Sequence, residues 1–162
     1  QKNIDEIIAV DDHELIVNFL DMMENHKMLV ENSGLLTVAA LKHLDCKGKK
    51  IVSILSGGNM DVITLSSVVQ HGLIERGRVF TVSVQLPDRP GELVNVANVI
   101  AKLKGNVIRL EHNQFVSINR NSAVELRITL EAFGHEHKKE IIDALRNHGY
   151  DPKEESPTGL YE

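Results

Sequence analysis

Two loops and one acidic residue carry the side chains best suited to handle a small ligand. Ser56-Gly57-Gly58-Asn59 follows the β-branched run Ile51 to Leu55. A strand-end loop is where an open α/β sheet places its ligand contacts, although Ser-Gly-Gly-Asn by itself is a common turn. Glu31 stands in a similar position after the short apolar run Met28-Leu29-Val30, and a lone acid there is by default a solvated loop residue. Pro87-Asp88-Arg89-Pro90-Gly91-Glu92-Leu93 follows an alternating run and is a dense turn signal, with Pro90 suited to an early helical position.

Other chemistries find no foothold. The eight histidines form no metal-ligand pattern, and His135 and His137, two apart at a helix start, read as exposed rather than coordinating. Cys46 has no catalytic partner spaced for it and no second cysteine to pair with, which points to a reducing, cytoplasmic compartment. A net charge of −5 disfavours nucleic acid, whose binding needs clustered Lys and Arg to release counterions. Lys47, Lys49 and Lys50 read as a solvated loop. No apolar run reaches the ~18–20 residues of a membrane helix, and no secretory signal opens the chain.

The elements that must position these residues follow from periodicity. With 162 residues, 42% of them hydrophobic and no tryptophan, the chain can bury an aliphatic core. Asp11-Asp12-His13-Glu14 is a helix start with a cap at Asp11 or Asp12, and Leu15, Phe19, Met22, Met23 and His26 recur at helical spacing. Met28–Val30 reads as a short strand, Asn32-Ser33-Gly34 as a turn, and 35–44 as a helix. Ile51–Leu55 reads as a strand buried on both faces, and 62–73 as a helix. That rhythm is α/β with a parallel sheet, yet two strands make no free-standing core. The first half therefore reads as the closing portion of a larger domain with an exposed apolar face, and Gln1, in place of an initiator Met, fits a piece of a longer protein.

The second half changes rhythm. Residues 78–86 alternate as a half-buried strand, and 93–103 form an amphipathic helix with Val94, Ala97, Ile100 and Ala101 inward, ended by Gly105-Asn106. Residues 107–115 and 123–133 are two more strands joined at Asn119-Arg120-Asn121. A last helix runs from Gly134 to about Asn147, and a weak final strand is expected near Tyr150. The β-α-β-β-α-β order gives an α+β, ferredoxin-like unit: a four-stranded antiparallel sheet with both helices on one face.

Two stretches go beyond generic patterning. Lys50-Ile-Val-Ser-Ile-Leu-Ser56-Gly57-Gly58-Asn59-Met60-Asp61, with the Gly-Leu-Ile-Glu-Arg-Gly-Arg run at 72–78, resembles the end of the catalytic domain of threonine dehydratases and serine racemases. Lys27 to Leu41 resembles the same family's helix-preceding Glu–x–x–Gly segment. Pro87 to Leu93, paired with Gly105-Asn106-Val107, looks like an ACT domain, a regulatory amino-acid-binding module. The two resemblances lie in the collinear order of threonine dehydratases with a single C-terminal ACT domain. They imply a catalytic-domain segment over 1–77, an ACT domain over 78–150 and a polar tail over 151–162.

The resemblance implies roles. The parent enzyme would use pyridoxal phosphate to deaminate L-threonine to 2-oxobutanoate and ammonia. Ser56 would offer a neutral hydroxyl to the cofactor's pyridine nitrogen, Gly57 and Gly58 would let the backbone pass close to the ring, and Asn59 and Glu31 would complete the cofactor side. The family's Schiff-base lysine segment and its glycine-rich phosphate loop have no counterpart here, so this chain alone is expected neither to deaminate threonine nor to hold the cofactor tightly. In the ACT half, Asp88, Arg89, Pro90, Gly91, Glu92 and Leu93, backed by Asn106 and Val107, would bind a free amino acid between paired subunits, with Gly91 allowing close approach and the helix N-terminus offering unpaired N–H groups. Isoleucine is the expected effector of a biosynthetic parent, although a single ACT domain leans toward a catabolic one. A stand-alone amino-acid sensor and a purely oligomerising module are the competing readings.

Overall fold

A computed structural model describes residues 6–113 and 124–156, which fall into two compact units, Gln1–Gly72 and Leu73–Glu162. The turn expected at Asn119-Arg120-Asn121 lies outside the described residues.

The first unit is helical. Helix α1 (Asp12–Asp21) starts with a capping box: Glu14 N–H donates to Asp11 Oδ1 at 2.8 Å, and Asp11 N–H to Glu14 Oε2 at 3.3 Å. Its buried side chains Leu15, Phe19 and Leu20 recur at i, i+4 and i+5, and a π-helical turn over Met22–His26 extends it to Lys27, whose left-handed φ of 58° stops it. Helix α2 (Asn32–Ala39) runs on into a 3₁₀ turn at Ala40–His43, and α3 spans Val62–Glu75. Phe19, Leu20, Met22, Val30, Leu35 and Ala39 form the core, with Leu65, Val68 and Val69 half-buried against it. Burying a side chain such as Phe19 contributes on the order of 1.5–3 kcal/mol. A β-carbon on Gly72 would lie 2.5 Å from Leu20 Cδ1, so α3 approaches α1 where it has no side chain.

Three expectations for this unit fail. Asn32, Ser33 and Gly34 are not a turn but the first turn of α2, because the Glu31 carbonyl accepts from Gly34 N–H (2.9 Å) and Leu35 N–H (3.2 Å). Neither Met28–Val30 nor Ile51–Leu55 is a strand, and the described residues of the unit hold no sheet. A β-branched run becomes a strand only when a neighbouring edge accepts its ladder. Here the Thr37 hydroxyl, donating to the Ile54 carbonyl at 3.1 Å, is what tethers the run. The exposed apolar face is present: Val52 is 89% exposed, Ile54 75%, Val62 79% and Ile63 82%.

The second unit is α+β. Strand β1 (Val79–Leu86) leads to helix α4 (Glu92–Lys102), then β2 (Asn106–Asn113), β3 (Val124–Glu131), helix α5 (His135–Asn147) and β4 (Lys153–Glu155). All pairings are antiparallel and the strand order is β2-β3-β1-β4. The final strand thus falls three residues beyond Tyr150. Phe80, Val82, Val84 and Leu86 on β1 share a face with Leu126, Ile128 and Leu130 on β3, and that face meets Val96, Val99 and Ile100 of α4 and Ile141, Ile142 and Leu145 of α5. Both helices therefore cover one side of the sheet. On the other side Thr81 and Thr129, opposite each other in register, are buried and share a hydroxyl hydrogen bond of 3.0 Å.

Helix α4 shows a different inward stripe from the expected one. Val96, Val99 and Ile100 are buried, whereas Val94, Ala97 and Ala101 face outward. The helix carries apolar residues on two faces, so 3.6-residue periodicity admits both stripes and packing against the sheet selects one.

Candidate functional site

The structure brings Glu31 and the Ser56-Gly57-Gly58-Asn59 loop together. Glu31 N–H donates to the Gly57 carbonyl at 3.2 Å, and Gly57 takes a left-handed φ of +76°, open to glycine and strained for most other residues. A β-carbon on Gly57 would stand 2.2 Å from Glu31 Oε1, so the carboxylate occupies the space that a side chain would need. The Ser33 hydroxyl donates to Glu31 Oε1 at 2.7 Å and fixes its direction. Gly34, the glycine of the Glu–x–x–Gly segment, gains a reason: a β-carbon there would lie 2.0 Å from the Ser56 carbonyl oxygen, so the loop passes α2 only because residue 34 has none. Ser56, Gly57, Gly58 and Asn59 are exposed. The Asp61 carboxylate closes the loop, accepting from Ile63 N–H, Thr64 N–H and the Thr64 hydroxyl at the start of α3. The Thr64 hydroxyl above all, then its N–H, hold that carboxyl below its ordinary pKa.

In the second unit, Pro87 to Leu93 form a hollow of about 310 Å³ together with Leu86 and His112. Arg89 N–H donates to the Pro87 carbonyl at 2.8 Å and Asn95 N–H to the Gly91 carbonyl at 3.0 Å, which turns the chain from β1 into α4. Gly91 caps α4 with a left-handed φ of +96°, and a β-carbon there would meet nothing within 4 Å. The turn thus needs glycine for its backbone angle, and the space beside it is open. The walls mix Leu86, Leu93, Pro87 and Pro90 with the charged groups of Asp88, Arg89 and Glu92, a lining able to take a small zwitterion with an apolar side chain.

Asn106 and Val107 do not back this hollow within the chain. Strands β1 and β2 both pair antiparallel with β3 and so run parallel to each other. The end of β2 therefore lies beside the end of β1, and its start lies at the opposite end of the sheet. Asn106 stands opposite Glu131 and donates its side-chain amide to Glu131 Oε2 at 3.2 Å. His112, near the end of β2, stands where Asn106 was expected.

His135 and His137 have structural partners. His135 Nε2 lies 2.9 Å from the Glu75 carbonyl. His137 Nδ1 accepts from Phe133 N–H at 3.0 Å, and its Nε2 lies 2.6 Å from the Leu103 carbonyl. Among the described residues no three His, Cys, Asp or Glu side chains gather as metal ligands, and no helix is long and apolar enough to cross a membrane.

No protein-family model matches the chain. Two solved structures are distantly similar: a Bacteroides thetaiotaomicron protein (20% identity, 48% of each chain, TM-score 0.36) and prephenate dehydratase from Streptococcus mutans (18% identity, 47% of this chain and 40% of that one, TM-score 0.41). Likeness at that level carries no argument. The sequence relatives are much nearer. L-threonine ammonia-lyase from Geobacter sulfurreducens is 37% identical over 91% of this chain and 37% of that enzyme. L-threonine ammonia-lyase from Thermotoga maritima is 33% identical over 93% of this chain and 38% of that enzyme. The biosynthetic L-threonine dehydratase of Pasteurella multocida is 29% identical over 93% of this chain and 29% of that enzyme. This chain spans between about three-tenths and two-fifths of the length of the relatives it matches, and over nine-tenths of its own length it resembles a portion of the threonine ammonia-lyases, also named threonine dehydratases.

Proposed function

We propose that these residues are the C-terminal portion of a pyridoxal-phosphate-dependent threonine dehydratase, an enzyme that deaminates L-threonine to 2-oxobutanoate and ammonia in the cytoplasm. Residues 1–77 close its catalytic domain, and 78–150 form an ACT domain that binds a free amino acid and pairs subunits. The observation that carries this is the 37% identity to a threonine ammonia-lyase across nearly the whole chain. The β-α-β-β-α-β connectivity of the second unit, with its hollow at the β1–α4 turn, supports the regulatory half.

The residues around Ser56 fit the cofactor on one structural point: the backbone is bare at Gly57, beside Glu31, and at Gly58, beside the Leu29 carbonyl. Ser56 would offer its hydroxyl to the cofactor's pyridine nitrogen, and Gly57 and Gly58 would let the backbone approach the ring. Glu31, steadied by Ser33, would complete the cofactor side. When bound, pyridoxal phosphate supplies the electron-withdrawing ring that lets an amino acid lose its α-proton and β-hydroxyl. The lysine that tethers it is absent from this chain, so the isolated polypeptide is inactive.

Calorimetric titration of the chain with isoleucine, valine, threonine and serine tests the regulatory half, with Arg89→Glu as control. Saturable heat for one amino acid, lost in Arg89→Glu, is the expected result. Absence of heat for all four would reject the effector site. A purely oligomerising role is favoured by one observation: β2 is an edge strand carrying the exposed Val107, Ile108 and Leu110. Pairing through it predicts a dimer by light scattering that Ile108→Lys dissociates.

A further inference from the structure

We infer that the β1–α4 hollow selects a β-hydroxy amino acid, threonine in the first place, and that His112 is the residue that recognises the ligand's hydroxyl. The inference rests on the effector-site assignment above and deepens it by naming the class of ligand.

An irregularity in β2 aims His112. Val107 stands opposite the core residue Leu130, and strict alternation from there would turn Arg109, Glu111 and Asn113 toward the helices. The register instead slips between Val107 and Arg109, leaving Ile108 out of the pairing. Beyond the slip Leu110 stands opposite Ile128 and His112 opposite Leu126, both core residues of the helix-covered side. Residues paired across an antiparallel ladder share a face of the sheet. One extra residue therefore turns a histidine, rather than an arginine or a glutamate, toward the side on which α4 begins. Re-aiming a side chain is what bulges beside binding sites commonly do. His112 is exposed there and lines the hollow.

The chemistry of the hollow is divided between its ends. Asp88, Arg89 and Glu92 all come from the β1–α4 turn and the first residue of α4. Arg89 can meet a ligand carboxylate, and Asp88 or Glu92 its ammonium. Leu86 and Leu93 supply aliphatic wall. His112 is the lining residue that comes from another strand, and β3 lies between β1 and β2, which sets their backbones about 9–10 Å apart. The side chain of an amino acid held at the turn by its α-groups thus meets aliphatic carbon and one imidazole. A neutral imidazole carries one donor and one acceptor nitrogen, and a hydroxyl can pair with either. Threonine carries on one β-carbon a methyl for the leucines and a hydroxyl for His112. Valine has the same shape without the hydroxyl, serine has the hydroxyl without the methyl, and isoleucine offers only carbon.

Calorimetric titration of the full chain with threonine, valine, serine and isoleucine, in the parent and in His112→Leu and His112→Gln, tests the inference. Threonine is expected to bind the parent about tenfold more tightly than its isostere valine, the effect of one hydrogen bond. His112→Leu should bring threonine and valine within about twofold of each other, whereas His112→Gln, which keeps a donor and an acceptor, should retain part of the preference. The imidazole nitrogen NMR signal that disappears in His112→Leu should move when threonine is added to the parent. Valine or isoleucine binding as tightly as threonine overturns the inference and leaves the effector site standing, and so does a threonine preference that survives His112→Leu. The threonine–valine comparison in the parent needs no variant, so it decides even where a substitution disturbs the fold. No binding of any of the four by the parent overturns the effector site and this inference with it.

Discussion

The Glu31 carboxylate lies directly over Gly57, so that a β-carbon on residue 57 would stand 2.2 Å from Oε1 and 2.4 Å from Cδ. Two segments 26 positions apart in sequence are thereby locked face to face, and the lock depends on the absence of one carbon atom. Gly57→Ala would collide with Glu31 and strain the left-handed backbone at once. The variant is expected to be less stable by roughly 1–3 kcal/mol, measured by chemical denaturation. An unchanged midpoint would mean that the loop moves freely away from Glu31.

The Thr81–Thr129 hydroxyl pair bridges the two central strands where both residues are buried. Thr81→Val alone leaves the Thr129 hydroxyl without its partner and is expected to cost about 1–3 kcal/mol. Adding Thr129→Val removes the orphan and should recover much of that loss. A double-mutant cycle measures the coupling, and simple additivity of the two substitutions would refute it.

His137 joins three pieces of backbone. Its Nδ1 accepts from Phe133 N–H, which assigns the ring proton to Nε2, and Nε2–H donates to the Leu103 carbonyl at the end of α4. The ring also stacks on Phe133 at 4.8 Å. His137→Phe can keep the stacking but loses both hydrogen bonds and leaves the half-buried Leu103 carbonyl unpaired. A loss of about 1–3 kcal/mol is expected, read from the thermal midpoint. Full retention of stability would show that solvent replaces both bonds.

Glu14 and Asp61 both have pKa values held below the ordinary carboxylate value: Glu14 mainly by the hydrogen bond from His43, Asp61 mainly by the Thr64 hydroxyl. A lowered folded-state value means that the unfolded chain takes up protons first. The helix starts that these groups cap are therefore fully supported above about pH 4.5 and lose that support as pH falls through the lowered values. Circular dichroism across that range should show helix loss that is flatter in the Glu14→Gln and Asp61→Asn variants. An identical acid profile in the variants would count against both caps.

Much of the second unit was legible in the sequence because its strands alternate with period two and its helices are bounded by glycines. The sequence does not encode which of two apolar stripes on α4 turns inward. Val94 with Ala97 and Val96 with Val99 are equally periodic, and the sheet decides. The strand over Ile51–Leu55 failed for a related reason: β-branching expresses a preference, and a ladder needs a partner. The two loops were legible as ligand candidates. The contact of Gly34 with the Ser56 loop and the place of His112 at the second loop were not, because helix packing and strand register make them rather than neighbouring positions. Asn106 was misplaced by the same register, being parallel to β1 and at its far end.

The order β2-β3-β1-β4 puts the most apolar strand, β1, between the two strands made last. During synthesis β1 leaves the ribosome well before β3 and long before β4, so both of its edges stay bare while α4 and β2 are being made. A bare, valine-rich edge is a template for pairing with another chain. Nascent chains of this protein should therefore depend on chaperone cover until β4 has emerged, and a ribosome stalled ahead of residue 153 would hold a sticky intermediate in which the hollow after β1 has formed before the sheet that steadies it.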